Sequence, residues 1–166
     1  FMQHTARIIG IDPGLVSTGW GIVVAQGSHV RFVDCGTLRP NPKLPLYARL
    51  SFLSTELTRI LSLHAPTDAA MEETFVTENG ASTLKLGQAR GALMVTLSLY
   101  GLSVAEYATR QVKKAVVGTG SADKHQVSQM IGVLLPAARE PLQHCRHDAA
   151  DALAVAITHL HHAAPR

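Results

Sequence analysis

Arg7-Ile-Ile-Gly-Ile-Asp-Pro-Gly-Leu-Val-Ser-Thr-Gly-Trp-Gly-Ile-Val-Val24 is the stretch on which the reading of this chain turns. β-Branched residues gather near both of its ends, as they do in buried strands, and one carboxylate, Asp12, interrupts the first run. Burying an unpaired charge costs several kcal/mol, so a carboxylate in such a run calls for a cation beside it. Pro13 and Gly14 stop the strand directly after Asp12, which leaves its side chain at a strand end facing a crevice, where open sheets bind ligands. The competing reading is an Asp that merely opens a turn at Asp12-Pro-Gly14.

Two further acidic segments strengthen the first reading. From Asp148 to Leu160 the chain is a strong helix former, apolar on every side except for two acids near its start, and a helix of that kind is buried. Asp148 and Asp151 share a face of it, roughly 5–6 Å apart. Favourable charge at a helix N-terminus explains one such Asp, but not a pair on a buried helix. Asp68 to Val76 reads as a strand with acids at its centre, and alternation sends Glu72 and Glu73 to opposite faces. Periodicity does not say which of the two joins a common site. Gathered together, Asp12, one of these glutamates, Asp148 and Asp151 would repel, and some would keep a proton unless a divalent cation neutralised them. All-oxygen ligands suit Mg²⁺ or Mn²⁺, and four carboxylates can bracket two ions about 3.5–4 Å apart, the arrangement that hydrolyses phosphodiesters.

Length and composition set the bounds. With 166 residues, 46% of them hydrophobic, the chain has the size of one domain with a real core, and residues 1–166 read as a single unit in which 1–5 are a flexible or vector-derived extension. The uncharged run from 91 to 105 interrupts at Arg90 and Glu106 and is too short to span a bilayer. Cys35 and Cys145 have no metal-like spacing and suggest reduced thiols in a cytoplasm. A net charge of +3 and a pI near 9.1 suit a nucleic-acid partner. Lys85 and Arg90 fall on one expected helix, and Arg110, Lys113, Lys114 and Lys124 flank a turn at Gly118-Thr-Gly-Ser121, a set able to track phosphates or simply to face solvent.

The expected element order is β-β-β-α-β-α-β-α-α-α. Strands run from Arg7 to Asp12, Thr18 to Ala25, Val30 to Arg39, Asp68 to Val76 and Ser103 to Tyr107. Helices run from Leu46 to His64 and Asn79 to Tyr100, two more begin at N-caps Thr109 and Asp123, and the Asp148 helix closes the chain. This order describes an α/β protein with a mixed five-stranded sheet covered on both faces. Placing the first and fourth strands side by side would bring Asp12 near the Glu72 pair.

Ile9-Gly-Ile-Asp-Pro-Gly14, Glu72, Leu84-Lys-Leu-Gly-Gln-Ala-Arg-Gly91, Arg110-Gln-Val-Lys113, Val117-Gly-Thr-Gly-Ser-Ala-Asp-Lys124 and Asp148-Ala-Ala-Asp-Ala-Leu153 together resemble, in order and spacing, the bacterial RuvC-type Holliday-junction resolvases. The resemblance implies a ribonuclease H-like fold. It also implies a homodimeric endonuclease that nicks two strands of a four-way DNA junction symmetrically with Mg²⁺, two ions per site, with Mn²⁺ as a substitute. It maps the catalytic, metal-holding acids onto Asp12, Glu72, Asp148 and Asp151, and selects Glu72 over Glu73. It further implies DNA contacts at Phe75, Lys113 and Lys124, to which the charge distribution adds Lys85, Arg90 and Arg110, an auxiliary role for His147, and partnership with RuvA- and RuvB-type branch-migration proteins. Glu73 and Glu78 depart from the family pattern.

Other patterns carry less. His144-Cys-Arg-His147 and His159, His161 and His162 lack the spacing of a zinc site. Gly118-Thr-Gly-Ser-Ala-Asp-Lys124 has Asp123 where a phosphate loop needs Gly. An actin- or sugar-kinase-like phosphotransferase would need a second domain, and a junction-binding module without catalysis would gain nothing from four acids at the centre of a surface for polyanionic DNA.

Overall fold

Ile8 and Ile9 point to opposite sides of the first strand and both are buried, so β1 (Arg7–Asp12) is covered on both faces and takes the middle of a sheet. The computed structural model describes residues 5–73, 76–145 and 147–163. After β1 come β2 (Thr18–Gln26), β3 (His29–Leu38), α1 (Leu46–His64), β4 (Asp68–Glu72), α2 (Gly80–Leu99) and β5 (Val104–Tyr107). Then follow α3 (Thr109–Val117), α4 (Lys124–Leu134), a 3-10 turn (Pro136–Ala138), α5 (Arg139–Gln143) and α6 (His147–His162). The strand order is β3-β2-β1-β4-β5. The first three strands form an antiparallel meander, and β4 and β5 continue the sheet in parallel. The sheet is therefore mixed, five-stranded and flanked by helices on both faces, with β1 beside β4 as expected.

The two faces are built from different residues. Ile9 and Ile11 of β1 and Ala69 and Met71 of β4 pack against Leu53, Leu57, Ile60 and Leu61 of α1 and Leu93 and Leu97 of α2. The four α1 residues recur at helical spacing and form one buried stripe, each contributing about 1.5–3 kcal/mol by leaving water. Ile8 and Ala70, one position out of phase, face α3, α4 and α6. Here the contact with α6 is between small residues. A methyl on Gly10 would stand 2.1 Å from the Ala152 carbonyl oxygen, and one on Gly19 would stand 1.9 Å from that of Asp148. The missing side chains let α6, rich in buried alanine, lie backbone-close to β1 and β2.

Several boundaries differ from expectation. β4 ends at Glu72 instead of Val76, because its neighbour β5 is four residues long and the last bond between them runs from the Glu73 N–H to the Tyr107 carbonyl at 2.8 Å. Without a paired neighbour the strand has no ladder to continue. Ala108, not Thr109, caps α3, and the Gln111 side chain folds back to accept from its N–H at 2.8 Å. Asp123 does cap α4: its carboxylate accepts from the Gln126 N–H at 2.8 Å, and Gln126 returns the bond to the Asp123 N–H at 2.9 Å. The 3-10 turn and α5 were not expected, and they begin at a proline that preorganises a first helical turn.

Candidate active site

The register of β1 and β4 determines which glutamate turns toward Asp12. The strands are parallel with Ile8 opposite Asp68 and Gly10 opposite Ala70, so Glu72 and Asp12 follow two positions further along, on the α6 side, at the carboxyl ends of both strands. Glu72 is half-buried and lines a pocket of about 220 Å³ with Asp12 and Asp151, whereas Glu73 is exposed beyond the strand end. α6 supplies the remaining acids. Because Gly19 lies opposite Asp12 in the β1–β2 ladder and admits the Asp148 backbone, the first turn of α6 is pressed against the end of β1. One carboxylate oxygen each from Asp12, Asp148 and Asp151 lies within 4.8 Å of the others.

Such crowding has an electrostatic cost. Burial, then the charges of Glu72, Asp151 and Asp148, push the Asp12 carboxyl up to about 9, and a hydrogen bond with Glu72 adds to the effect. Burial and the Glu72 charge raise Asp151 to about 6, against the opposing pull of Lys124. At neutral pH the cluster therefore holds a proton between carboxylates. A hard divalent cation relieves the repulsion without a proton, and half-buried carboxylates at this separation are the oxygen ligands it takes. The donor set fits such an ion.

Lys113 and Lys124 line the same pocket as Asp12, Glu72 and Asp151, so the acids share it with two cationic side chains. Asp148 opens instead into a neighbouring hollow of about 460 Å³, where Lys85, His147 and Arg49 also stand. Arg49 carries no signal in the sequence, since an Arg on an amphipathic helix reads as a solvated face. Its guanidinium donates to the Leu15 carbonyl at 3.3 Å, and its Nε is buried with no hydrogen-bond partner among the described residues. Arg110 is exposed at the start of α3, next to Gly120. Arg90 does not join this group: it is ion-paired with Glu106 of β5 and its side chain is 18% exposed. Phe75 lies outside the described residues. The acidic cluster above is the one group of metal-ligating side chains found among the described residues, and no histidine or cysteine belongs to it. No helix among them is long and apolar enough to cross a membrane.

Residues 8–159 match the family described as crossover junction endodeoxyribonuclease RuvC. The chain is 54% identical to the crossover junction endodeoxyribonuclease RuvC of Bradyrhizobium diazoefficiens, over 97% of this chain and 90% of that protein. It is 55% identical to the one from Azorhizobium caulinodans, over 96% and 92%. Among solved structures it resembles T. thermophilus RuvC in complex with Holliday junction substrate, with a TM-score of 0.85, 31% identity and 93% of each chain covered. The yeast mitochondrial Holliday junction resolvase Ydc2, at 14% identity and a TM-score of 0.67 over 92% of this chain and 78% of that one, shares the fold.

Proposed function

The chain belongs to the RuvC family of crossover junction endodeoxyribonucleases, and from that premise we propose that it resolves four-way DNA junctions by paired, divalent-metal-dependent nicks during recombination and repair. The observation that carries this reading is the closure of the three aspartates on one another at the strand ends, with Glu72, Lys113 and Lys124 in the same pocket as Asp12 and Asp151. Asp12, Glu72, Asp148 and Asp151 would hold Mg²⁺, two ions per site, or Mn²⁺ in its place. When bound, such ions lower the pKa of a coordinated water and stabilise charge on the leaving oxygen. Lys113 and Lys124 meet the phosphate and offset its charge, while the acids exclude any anion that arrives without cations. Lys85, Arg110 and Phe75 remain DNA contacts in this proposal, with His147 as an auxiliary group. Arg90 is withdrawn from the set, because Glu106 already engages it.

A junction presents two equivalent strands, and one chain offers one acidic cluster, so a two-fold dimer is required. Support comes from α2. Leu84, Gly91 and Val95 recur along one stripe of it; Leu84 is 63% and Val95 52% exposed, and Leu99 one turn on is 83% exposed. A side chain at Gly87 or Gly91 would meet nothing, so a second helix could approach closely there. The setting proposed for this activity is a cytoplasm, with branch-migration proteins of the RuvA and RuvB type as partners. Cleavage of a labelled four-way junction and of linear duplex of the same sequence, each with Mg²⁺ and with EDTA, tests the proposal. Paired nicks in strands of like polarity are expected for the junction with Mg²⁺ alone. Turnover in EDTA, or equal cutting of the duplex, would refute it.

A further inference from the structure

Ser17 is not among the acids or lysines of the site, yet its hydroxyl donates to Oδ2 of Asp148 across 131 positions of sequence. We propose that Ser17 is a positioning residue: it fixes the Asp148 carboxylate in the orientation that completes the cation site. The proposal rests on the reading of the acidic cluster as a divalent-metal site. Its support lies in the connection between β1 and β2 and in the first two residues of β2.

The connection is tied to itself and to its neighbours. Thr18 donates to the Gly14 carbonyl at 2.6 Å and accepts from the Gly14 N–H at 3.1 Å, closing the turn. Leu15 is buried, and its carbonyl accepts from Arg49 of α1. Ser17 is thus presented from a braced turn. Gly19, two residues on, is the position whose missing side chain lets the Asp148 backbone come close, so the step that seats α6 also brings Asp148 within reach of Ser17. Ser17 and Asp148 line one hollow together, a different one from the pocket that Lys113 and Lys124 line.

The chemistry of the donor matters. Asp148 is held by an alcohol, which has a hydrogen to donate and adds no charge to the cluster. One oxygen is steered by the hydroxyl, and the carboxylate keeps lone pairs for a cation. Hydrogen bonds to metal-ligating groups typically change metal affinity by about 10–100-fold when removed.

The test compares Ser17→Ala and Ser17→Thr with the wild type. Mn²⁺ affinity is measured by electron paramagnetic resonance on protein free of DNA, junction affinity in Ca²⁺, and the melting temperature in EDTA. Ser17→Ala should weaken Mn²⁺ binding by roughly 10-fold or more, with junction affinity and the EDTA melting temperature close to wild type. Ser17→Thr, which keeps the hydroxyl, should recover most of the Mn²⁺ affinity. Wild-type Mn²⁺ affinity in Ser17→Ala, with or without a loss of thermal stability, would overturn the proposal, as would equal loss in both variants. An Asp148→Asn protein that bound Mn²⁺ like the wild type would instead overturn the metal-site reading itself.

Discussion

The two faces of the sheet divide the labour of this molecule. On one, Leu53, Leu57, Ile60, Leu61, Leu93 and Leu97 fill the space over Ile9, Ile11 and Met71 with bulk. On the other, Gly10, Gly19 and Gly21 meet an alanine-rich helix at backbone distance. Large side chains remove more apolar area from water and contribute more stability per residue. Small ones contribute less, but they bring the backbones of α6 and β1 together, and with them Asp148, Asp151 and Asp12. The first face is apolar bulk throughout, while the second carries the crowded, mutually repelling acids beside a core of its own.

If that division is right, substitutions on the two faces should fail in opposite ways. The largest effect should come from the acids: Asp12→Asn, Glu72→Gln, Asp148→Asn and Asp151→Asn should each lower junction cleavage more than about 100-fold, since ligands count for more than the groups that orient them. Junction binding in Ca²⁺ should survive, and Glu73→Gln should cleave nearly normally. Single-turnover cleavage beside a gel-shift titration checks both. Leu57→Ala is the counterpart on the other face. It should cost roughly 2–5 kcal/mol of stability by denaturant unfolding while leaving cleavage per folded molecule unchanged.

Gly19→Ala joins the two effects. A methyl placed 1.9 Å from the Asp148 carbonyl must displace the helix, costing at least the ~1–3 kcal/mol typical of overpacking and weakening Mn²⁺ binding as well. Loss of stability with normal Mn²⁺ affinity would uncouple the close approach from the site.

The acids should also make the metal-free protein sensitive to pH. A carboxyl raised from its ordinary value of 3.8 to about 9 binds its proton more tightly in the fold. The contribution of this group to stability is then fully present below its ordinary value and is lost as pH rises toward about 9, the reverse of a salt-bridged Asp. Asp12→Asn should flatten this dependence and raise the melting temperature in EDTA at pH 8, by about 2–4 °C per kcal/mol relieved. The smallest effects belong to the lysines. Lys113→Ala and Lys124→Ala should each lower the slope of log affinity against log salt by about 1, and Arg90→Ala should leave it unchanged.

Much of the fold was legible because it rests on local patterns. The strand that ends at Asp12-Pro13, the helical stripe of α1 and the Asp148/Asp151 face need neighbours a few residues away. What needed long-range information was not legible from the residues. Glu72 and Glu73 could be told apart only by the register of β4 on β1, or by family resemblance. The end of β4 depends on how long β5 is, and the fate of Arg90 depends on Glu106 of another element. Gly19 and Gly21 look like ordinary strand glycines until α6 is laid across them, and Ser17 gains meaning only from Asp148.

The central claim is that α6, seated on glycine, forces the acids together until a cation replaces the proton they share. Calorimetric titration of Mn²⁺ at pH 7.5 in buffers of different ionisation enthalpy tests it directly. With Asp12 raised to about 9, binding should release about one proton per site, and Asp12→Asn should abolish that release. Mn²⁺ binding with no proton released by the wild type would contradict the account.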